Sequence, residues 1–330
     1  MHSRRILAYW VVTALLVGGG AASYLILRDD EKPSTGLSGF HHPRTVHLAQ
    51  DGRLIVTDLG TGKDDGRVVA VELDSGKQET LLGHLPSTKN SGQRYADLAG
   101  PSGAAVARDG PRNGPVCAVI GDASKPNRGF NTLRCTNGLT ADFKAFEEAN
   151  NPDGREIASN PYDIVSDGQT GWYVSDAAAN VVLHVDERGT IEVAALFGTF
   201  CCLARQGAEP VPTGLSIVVS GRGDRAVAVA LFGGAVGTVG QTAAETGLAF
   251  ANLPSAIAVA VANDGKDSYF LVYDDGLGTA KSGAIVHADR HGRREVVTGL
   301  DRPTGFARLP DGRFVVAEEE RGRVYIVTPK

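Results

Sequence analysis

Six times along this chain a proline opens a short apolar run, and the spacing of those openings leaves few folds available. They are Pro43 with Val46, Pro101 with Ala104, Pro161 with Ile164, Pro212 with Leu215, Pro254 with Ile257 and Pro303 with Phe306. The five intervals average 52 residues, which suits one four-stranded propeller blade per unit. Helical repeats of this length would need long 3.6-periodic stretches, and the sequence has none.

Within each unit an Asp-Gly or Gly-rich turn follows the first run, as at Asp51-Gly52, Asp109-Gly110, Asp167-Gly168, Asp264-Gly265 and Asp311-Gly312. Such residues accept the positive φ of tight hairpins. A β-rich second run comes next, for example Leu54 to Thr57 or Arg313 to Ala317, and a third follows, clearest at Val68 to Leu73 and Arg323 to Val327. Fourth runs are Gln78 to Leu82, Ile191 to Phe197 and Arg294 to Leu300. The last unit lacks one, whereas Thr35 to Phe40, ahead of the first opening, repeats the Thr-Gly-Leu of Thr298 to Leu300. The expectation is therefore an all-β, six-bladed β-propeller of four-stranded antiparallel blades over residues 35–330. Residues 35–40 supply the outer strand of the last blade and so remove an exposed edge. Unit four fits worst, with weak third and fourth strands between Gly233 and Leu253.

Composition agrees, since 42 glycines in 330 residues are about 13%, against a usual ~7%. Charged residues make up 22% and the net charge is −5, so no face is basic enough to suggest nucleic acid.

The N-terminus reads differently. Ile6 to Leu27 carries no formal charge over 22 residues, roughly 33 Å of helix and enough to span a bilayer. Arg4 and Arg5 precede it, and Asp29, Asp30 and Glu31 follow Arg28. That bias keeps residues 1–5 in the cytoplasm, with residues 28–34 linking a single-pass cell-membrane anchor to a propeller outside. The alternative is a signal peptide cleaved after Ala22, giving a secreted protein.

Four cysteines suit an oxidising compartment. Cys117 should begin one strand and Cys135 end the next, which places them nearly opposite as a disulfide requires. Cys201 and Cys202 are adjacent and read as buried thiols.

In a propeller, the loops from second to third strand and from blade to blade share one face. The residues after each second strand are Asp58, Asp122, Asp176, Phe232, Asp274 and Glu318. Five acids around a channel mouth could hold a hard cation, with calcium as the candidate cofactor; alternatively each acid bonds the backbone of the turn it starts. His184 and His287 fall at matching third-strand positions and read as repeat geometry. No Gly-x-Ser-x-Gly elbow, phosphate loop or zinc signature is present.

The stretch Glu147 to Val165, running into Trp172 to Ile191, resembles the ScyD/ScyE family of propeller proteins. The motifs that carry the resemblance are Asn151-Pro152-Asp153-Gly154, Ser159-Asn160-Pro161-Tyr162, and Asp176 with Asn180. Val211 to Leu215 and Arg302 to Val327 fit the same pattern, which NHL-type, TolB-like and sugar-dehydrogenase propellers share in part. The resemblance implies an exported propeller with no established catalytic mechanism. Two functions follow as expectations. The first is a monomeric binding module whose channel face, with Asn160 and Tyr162, holds an unidentified small molecule or protein. The second is a calcium-dependent hydrolase or lactonase built on the acid set.

Overall fold

The computed structural model describes residues 36–90, 98–107, 114–123, 129–198, 209–219, 225–239, 247–251, 253, 255–261, 267–289 and 291–330. The anchor stretch Ile6 to Leu27, the Ala22 cleavage position, the Cys201–Cys202 pair, Pro254 and the turns at Asp109-Gly110 and Asp264-Gly265 lie outside the described residues. Among the described residues no helix is long and apolar enough to cross a membrane.

Alternating apolar runs joined by tight turns pair readily with their sequence neighbours, and the described residues form six four-stranded antiparallel sheets. Blade one is β2 (Pro43–Leu48), β3 (Leu54–Asp58), β4 (Gly66–Val71) and β5 (Gln78–Leu85). A two-stranded patch, β6 (Thr88–Lys89) with β7 (Leu98–Ala99), leads to blade two: β8 (Pro101–Val106), β9 (Val116–Ile120), β10 (Thr132–Cys135) and β11 (Thr140–Asp142). Blade three is β12 (Pro161–Ser166), β13 (Trp172–Asp176), β14 (Val181–Val185) and β15 (Ile191–Leu196). Blade four is β16 (Pro212–Val219), β17 (Arg225–Leu231), β18 (Ala235–Val239) and β19 (Gly247–Ala251). Blade five is β20 (Ala256–Val261), β21 (Ser268–Val272), β22 (Gly283–Asp289) and β23 (Gly292–Leu300).

Blade six joins the two ends of the fold. It comprises β24 (Gly305–Arg308), β25 (Phe314–Glu318) and β26 (Arg323–Val327), and its outer strand is β1 (Gly36–Leu37), which pairs Gly36 with Tyr325 and Leu37 with Val324. The core lies between blades. Val46, Leu54, Val56 and Val69 of blade one pack with Ala307, Val315, Ala317 and Val324 of blade six, and Leu37 joins the same cluster. Second strands such as β3 and β25 are buried throughout, while the outer β5 and β23 are largely exposed.

Blades two, four and six open with Pro-Ser/Thr-Gly, and this triplet has a packing purpose. A Cβ on Gly103 would lie 2.7 Å from the Asp163 Cα, one on Gly214 2.6 Å from the Ala258 Cα, and one on Gly305 2.5 Å from the Arg44 carbonyl oxygen. These distances admit no side chain. The preceding hydroxyl donates across the same junction: Ser102 Oγ to the Pro161 carbonyl at 2.6 Å, Thr213 Oγ1 to that of Ala256 at 3.3 Å, and Thr304 Oγ1 to that of Arg44 at 2.9 Å. Blades two and three, four and five, and six and one are thereby locked in pairs.

Two details depart from the sequence expectation. Blade five enters its first strand at Ala256, and Ala258 meets Gly214 as Asp163 meets Gly103. Ala256, two residues beyond the proline opening at 254, thus takes the place held by Pro161 in blade three. Second, a short helix α1 (Phe143–Asn150) follows β11, capped by Asp142, whose carboxylate accepts from the Ala145 amide at 2.9 Å. Phe143 is fully buried in the core shared by blades two and three. Cys117 faces Cys135 across β9 and β10, and the two are joined as a disulfide.

Candidate functional site on the channel face

First strands line the propeller axis, so contacts between blades that are not neighbours must cross it. Blade one reaches blade three twice. His47 Nε2 lies 3.0 Å from Asp163 Oδ1, and the other Asp163 oxygen accepts from the Leu215 amide of blade four at 2.9 Å. Burial opposes charge on His47, but the Asp163 carboxylate outweighs it and raises the imidazole pKa. Around this pair, Thr45, Tyr162, Ile257 and Phe306 leave a cavity of about 20 Å³, room for about one water.

Nearer the second-strand ends, Arg44 lies over the Tyr162 ring, 5.7 Å from its centroid, and its Nε bonds Glu319 at 2.7 Å. Tyr273 packs edge-on to Phe232 at 6.0 Å, and Arg302 bonds Glu320 at 2.8 Å. Burial pushes the Tyr162 phenol well above its usual value and that of Tyr273 to about 12, so both remain neutral hydrogen-bond donors at physiological pH. The mouth therefore offers aromatic faces, phenol donors and an arginine held in place by a carboxylate. That chemistry suits a small polar or anionic molecule, or a partner's loop.

The acids expected around this mouth do not form one ring. Register makes Asp58, Asp176 and Glu318 equivalent, opposite Pro43, Pro161 and the residue before Thr304, while the same position in blades two, four and five is Ile120, Leu231 and Val272. Asp122 and Asp274 stand two residues further on. The equivalent three are almost fully buried and hold the chain's own donors. Asp58 accepts from the His41 and His42 amides and from Arg67, and Asp176 from the Ser159 hydroxyl and the amides of Asn160, Ala178 and Ala179. Glu318 accepts from the Asp301 amide, Arg323 and Tyr325. Each ties the connection from the previous blade to the end of its own second strand, which is the turn-bonding alternative. Asp274 accepts from the Ser255 hydroxyl and the Gly276 amide, and Asp122 is exposed. Asn160 is drawn into the same framework, its Oδ1 accepting from the Asp122 amide at 3.0 Å. Tyr162 alone of the predicted pair lines the axis.

Among the described residues, one group of three His, Cys, Asp or Glu side chains brings its ligand atoms within 4.8 Å of one another: Asp267, His287 and Asp289. It sits at the other end of blade five. His287 bonds Asp267 at 3.0 Å and stacks on Tyr269, as His184 bonds Asp167 at 3.1 Å beside Tyr173 in blade three. The duplication marks it as a strand-end device of the repeat.

The channel residues missed from sequence are His47, Asp163, Arg44 and Glu319. The available signal was that, at the third position of the first strand, blade three carries a carboxylate where blades two, four and six carry glycine.

No protein-family model matches the chain, and no curated protein matches its sequence. Solved structures do resemble it in fold. A streptogramin B lyase superposes with a TM-score of 0.55 at 12% identity over 90% of this chain and 97% of its own. A protein proposed to be a gluconolactonase gives 0.50 at 12% over 90% and 91%. A protein of unknown function from Bacteroides thetaiotaomicron gives 0.53 at 11% over 90% and 72%. The chain is a six-bladed propeller. At these identities the likeness extends to architecture alone.

Proposed function

We propose that this propeller is a binding module, displayed outside the cell membrane by the Ile6 to Leu27 anchor, and that its ligand sits in the channel mouth against Arg44, Tyr162 and Tyr273. The observation that carries this reading is the convergence of Arg44, Tyr162, Tyr273 and Glu319, from blades one, three, five and six. The group mixes aromatic faces with a few fixed polar groups, the mixture typical of small-molecule sites. The Asn151 to Asn180 motifs support placing the chain beside the exported ScyD/ScyE propellers.

The enzymatic reading, a calcium-dependent hydrolase or lactonase, has in its favour the activity proposed for one structural neighbour, a gluconolactonase. It needs carboxylates free to ligate, and three of the five acids are committed to backbone donors and to arginine or tyrosine.

Thermal shift of the full chain against a library of small polar metabolites tests the module. A hit should lose at least tenfold in affinity in both Arg44→Ala and Tyr162→Ala, since each removes a contact of about 1.4 kcal/mol or more. Hits indifferent to both variants would overturn the pocket, whereas turnover of an ester or lactone abolished by chelation would favour the enzyme. Mass spectrometry of the mature N-terminus decides between anchor and cleavage after Ala22.

A further inference from the structure

The outer rim of the ring carries a cleft of about 710 Å³, a volume in the range of small-molecule sites. It opens where three blades meet. Blade one contributes Leu82 and His84 of β5, blade two Thr132, Arg134, Thr140 and Asp142 of β10 and β11, and blade three the turn at Gly189. A Cβ on Gly189 would lie 2.7 Å from the Thr140 carbonyl oxygen, so that turn packs directly on β11.

Arg134 stands apart from the other arginines that are at least partly withdrawn from solvent. Arg44, Arg53, Arg67, Arg225, Arg302 and Arg313 each bond a carboxylate or a carbonyl. Arg134 is half-buried, and among the described residues it bonds neither. Its guanidinium is placed all the same. It lies against Gly129, where a Cβ would collide with Nη2 and where φ of 94° already favours glycine. A planar fork of N–H donors, set in a cleft with no acceptor of its own, suits an oxyanion.

The blade-one wall is shaped by a bulge. Leu82 pairs with Val68 and Leu85 with Gly66, so β5 holds one residue more than β4 over this stretch. His84 sits in the bulge with φ of 53°, a left-handed conformation that costs free energy in any residue but glycine. Bulges re-aim side chains, and this one brings His84 to the same cleft as Arg134. The remaining polar groups are two hydroxyls and a carboxylate. Thr132 Oγ1 donates to the Gly129 carbonyl at 2.7 Å and is left free to accept, and Asp142 caps α1, whose N-terminus offsets part of its charge.

We propose that this cleft binds a small hydroxylated organic anion, a sugar acid or sugar phosphate, whose oxyanion is held by Arg134 and His84 and whose hydroxyls meet Thr132, Thr140 and Asp142. The volume is that of a small molecule rather than a bare ion, and Leu82 gives the carbon skeleton an apolar wall. The site is built on the outer strands of blades one and two and is separate from the channel mouth at Arg44 and Tyr162.

The test titrates the purified full chain, by calorimetry, with galacturonate, glucose 6-phosphate, glucose and inorganic phosphate. At least one of the two sugar anions should bind at one per chain, and which of them binds tells a carboxylate site from a phosphate site. Glucose and inorganic phosphate should bind at least tenfold more weakly. Arg134→Gln should weaken binding at least tenfold, through loss of a charge-assisted hydrogen bond. His84→Gly should weaken it about threefold or more yet melt no lower than the parent, because glycine accepts the left-handed conformation; this variant carries the test where Arg134→Gln fails to fold. Lys77→Gln, which removes an exposed charge from the turn before β5, should bind like the parent. Absence of binding by both sugar anions at about 10 mM, where even a dissociation constant of about 1 mM would register, overturns the proposal. Unchanged affinity in both Arg134→Gln and His84→Gly overturns it by placing the ligand elsewhere. Equal affinity for inorganic phosphate, or an equal loss in Lys77→Gln, overturns it by reducing the site to net charge.

Discussion

Asp163 shows how much one side chain can hold when ring closure brings distant segments to a single axis. Its two oxygens join His47 of blade one to the Leu215 amide of blade four, residues 116 and 52 positions away. A buried pair of this kind is costly to break, because the partner left behind stays buried. Because the pKa of His47 is raised on folding, the pair's contribution is complete below the ordinary histidine value of 6.5 and is lost as pH rises through the higher folded value. Asp163→Asn should therefore destabilise the protein by about 1–3 kcal/mol at pH 5.5 and by less at pH 8.5. Urea melts at the two pH values check this; an equal loss at both would mean that His47 does not change charge between them. The sequence marks Asp163 as a carboxylate where blades two, four and six carry glycine, but it does not name the partners. Sequence exposes local periodicity, and a contact across 116 residues depends on how six blades close. The acid positions failed for a related reason. Asp58 ends its second strand opposite Pro43, whereas Asp122 and Asp274 stand two residues beyond the corresponding strand ends, Ile120 and Val272.

Strands and turns were far more legible, because period-two alternation and Asp-Gly pairs are local signals. Gly52 and Gly312 adopt φ of 81° and 88° at the turns where the sequence places them. In blade five the proline marker at 254 stands two residues ahead of Ala256, the residue that register sets level with Pro161. Helix α1 was missed because eight residues give little periodicity, although Asp142 as N-cap with Phe143 and Phe146 three apart was a usable sign. The Pro-Ser/Thr-Gly triplets were in view, but their meaning required the neighbouring blade. Gly305→Ala must push backbone against backbone at the blade six to blade one junction, and should cost about 1–3 kcal/mol or more. Gly36→Ala, with nothing within 4 Å of its Cβ and no positive φ, should leave stability within about 0.5 kcal/mol. Chemical denaturation of the pair separates a packing requirement from a general intolerance of alanine.

The ring as a whole depends on a very short closure. Among the described residues Gly36 and Leu37 complete blade six, and Leu37 is 8% exposed and packs in the cluster shared by blades one and six. Gln78 of β5 adds a hydrogen bond to the Ser38 carbonyl, and Arg67 another to that of Gly39, so the segment is also pinned to blade one. Removing it would bare the backbone edge of β26, a template for pairing with another chain. A chain beginning at Ser34 should therefore be a monomer that melts like the full-length protein freed of its anchor stretch. A chain beginning at Phe40 should melt several degrees lower and associate through β26 in a concentration-dependent way. Light scattering with thermal melts over a tenfold concentration range distinguishes them. If the shorter chain stayed monomeric with an unchanged melting temperature, the outer strand would be dispensable, and closure would rest on the packing between blades six and one alone.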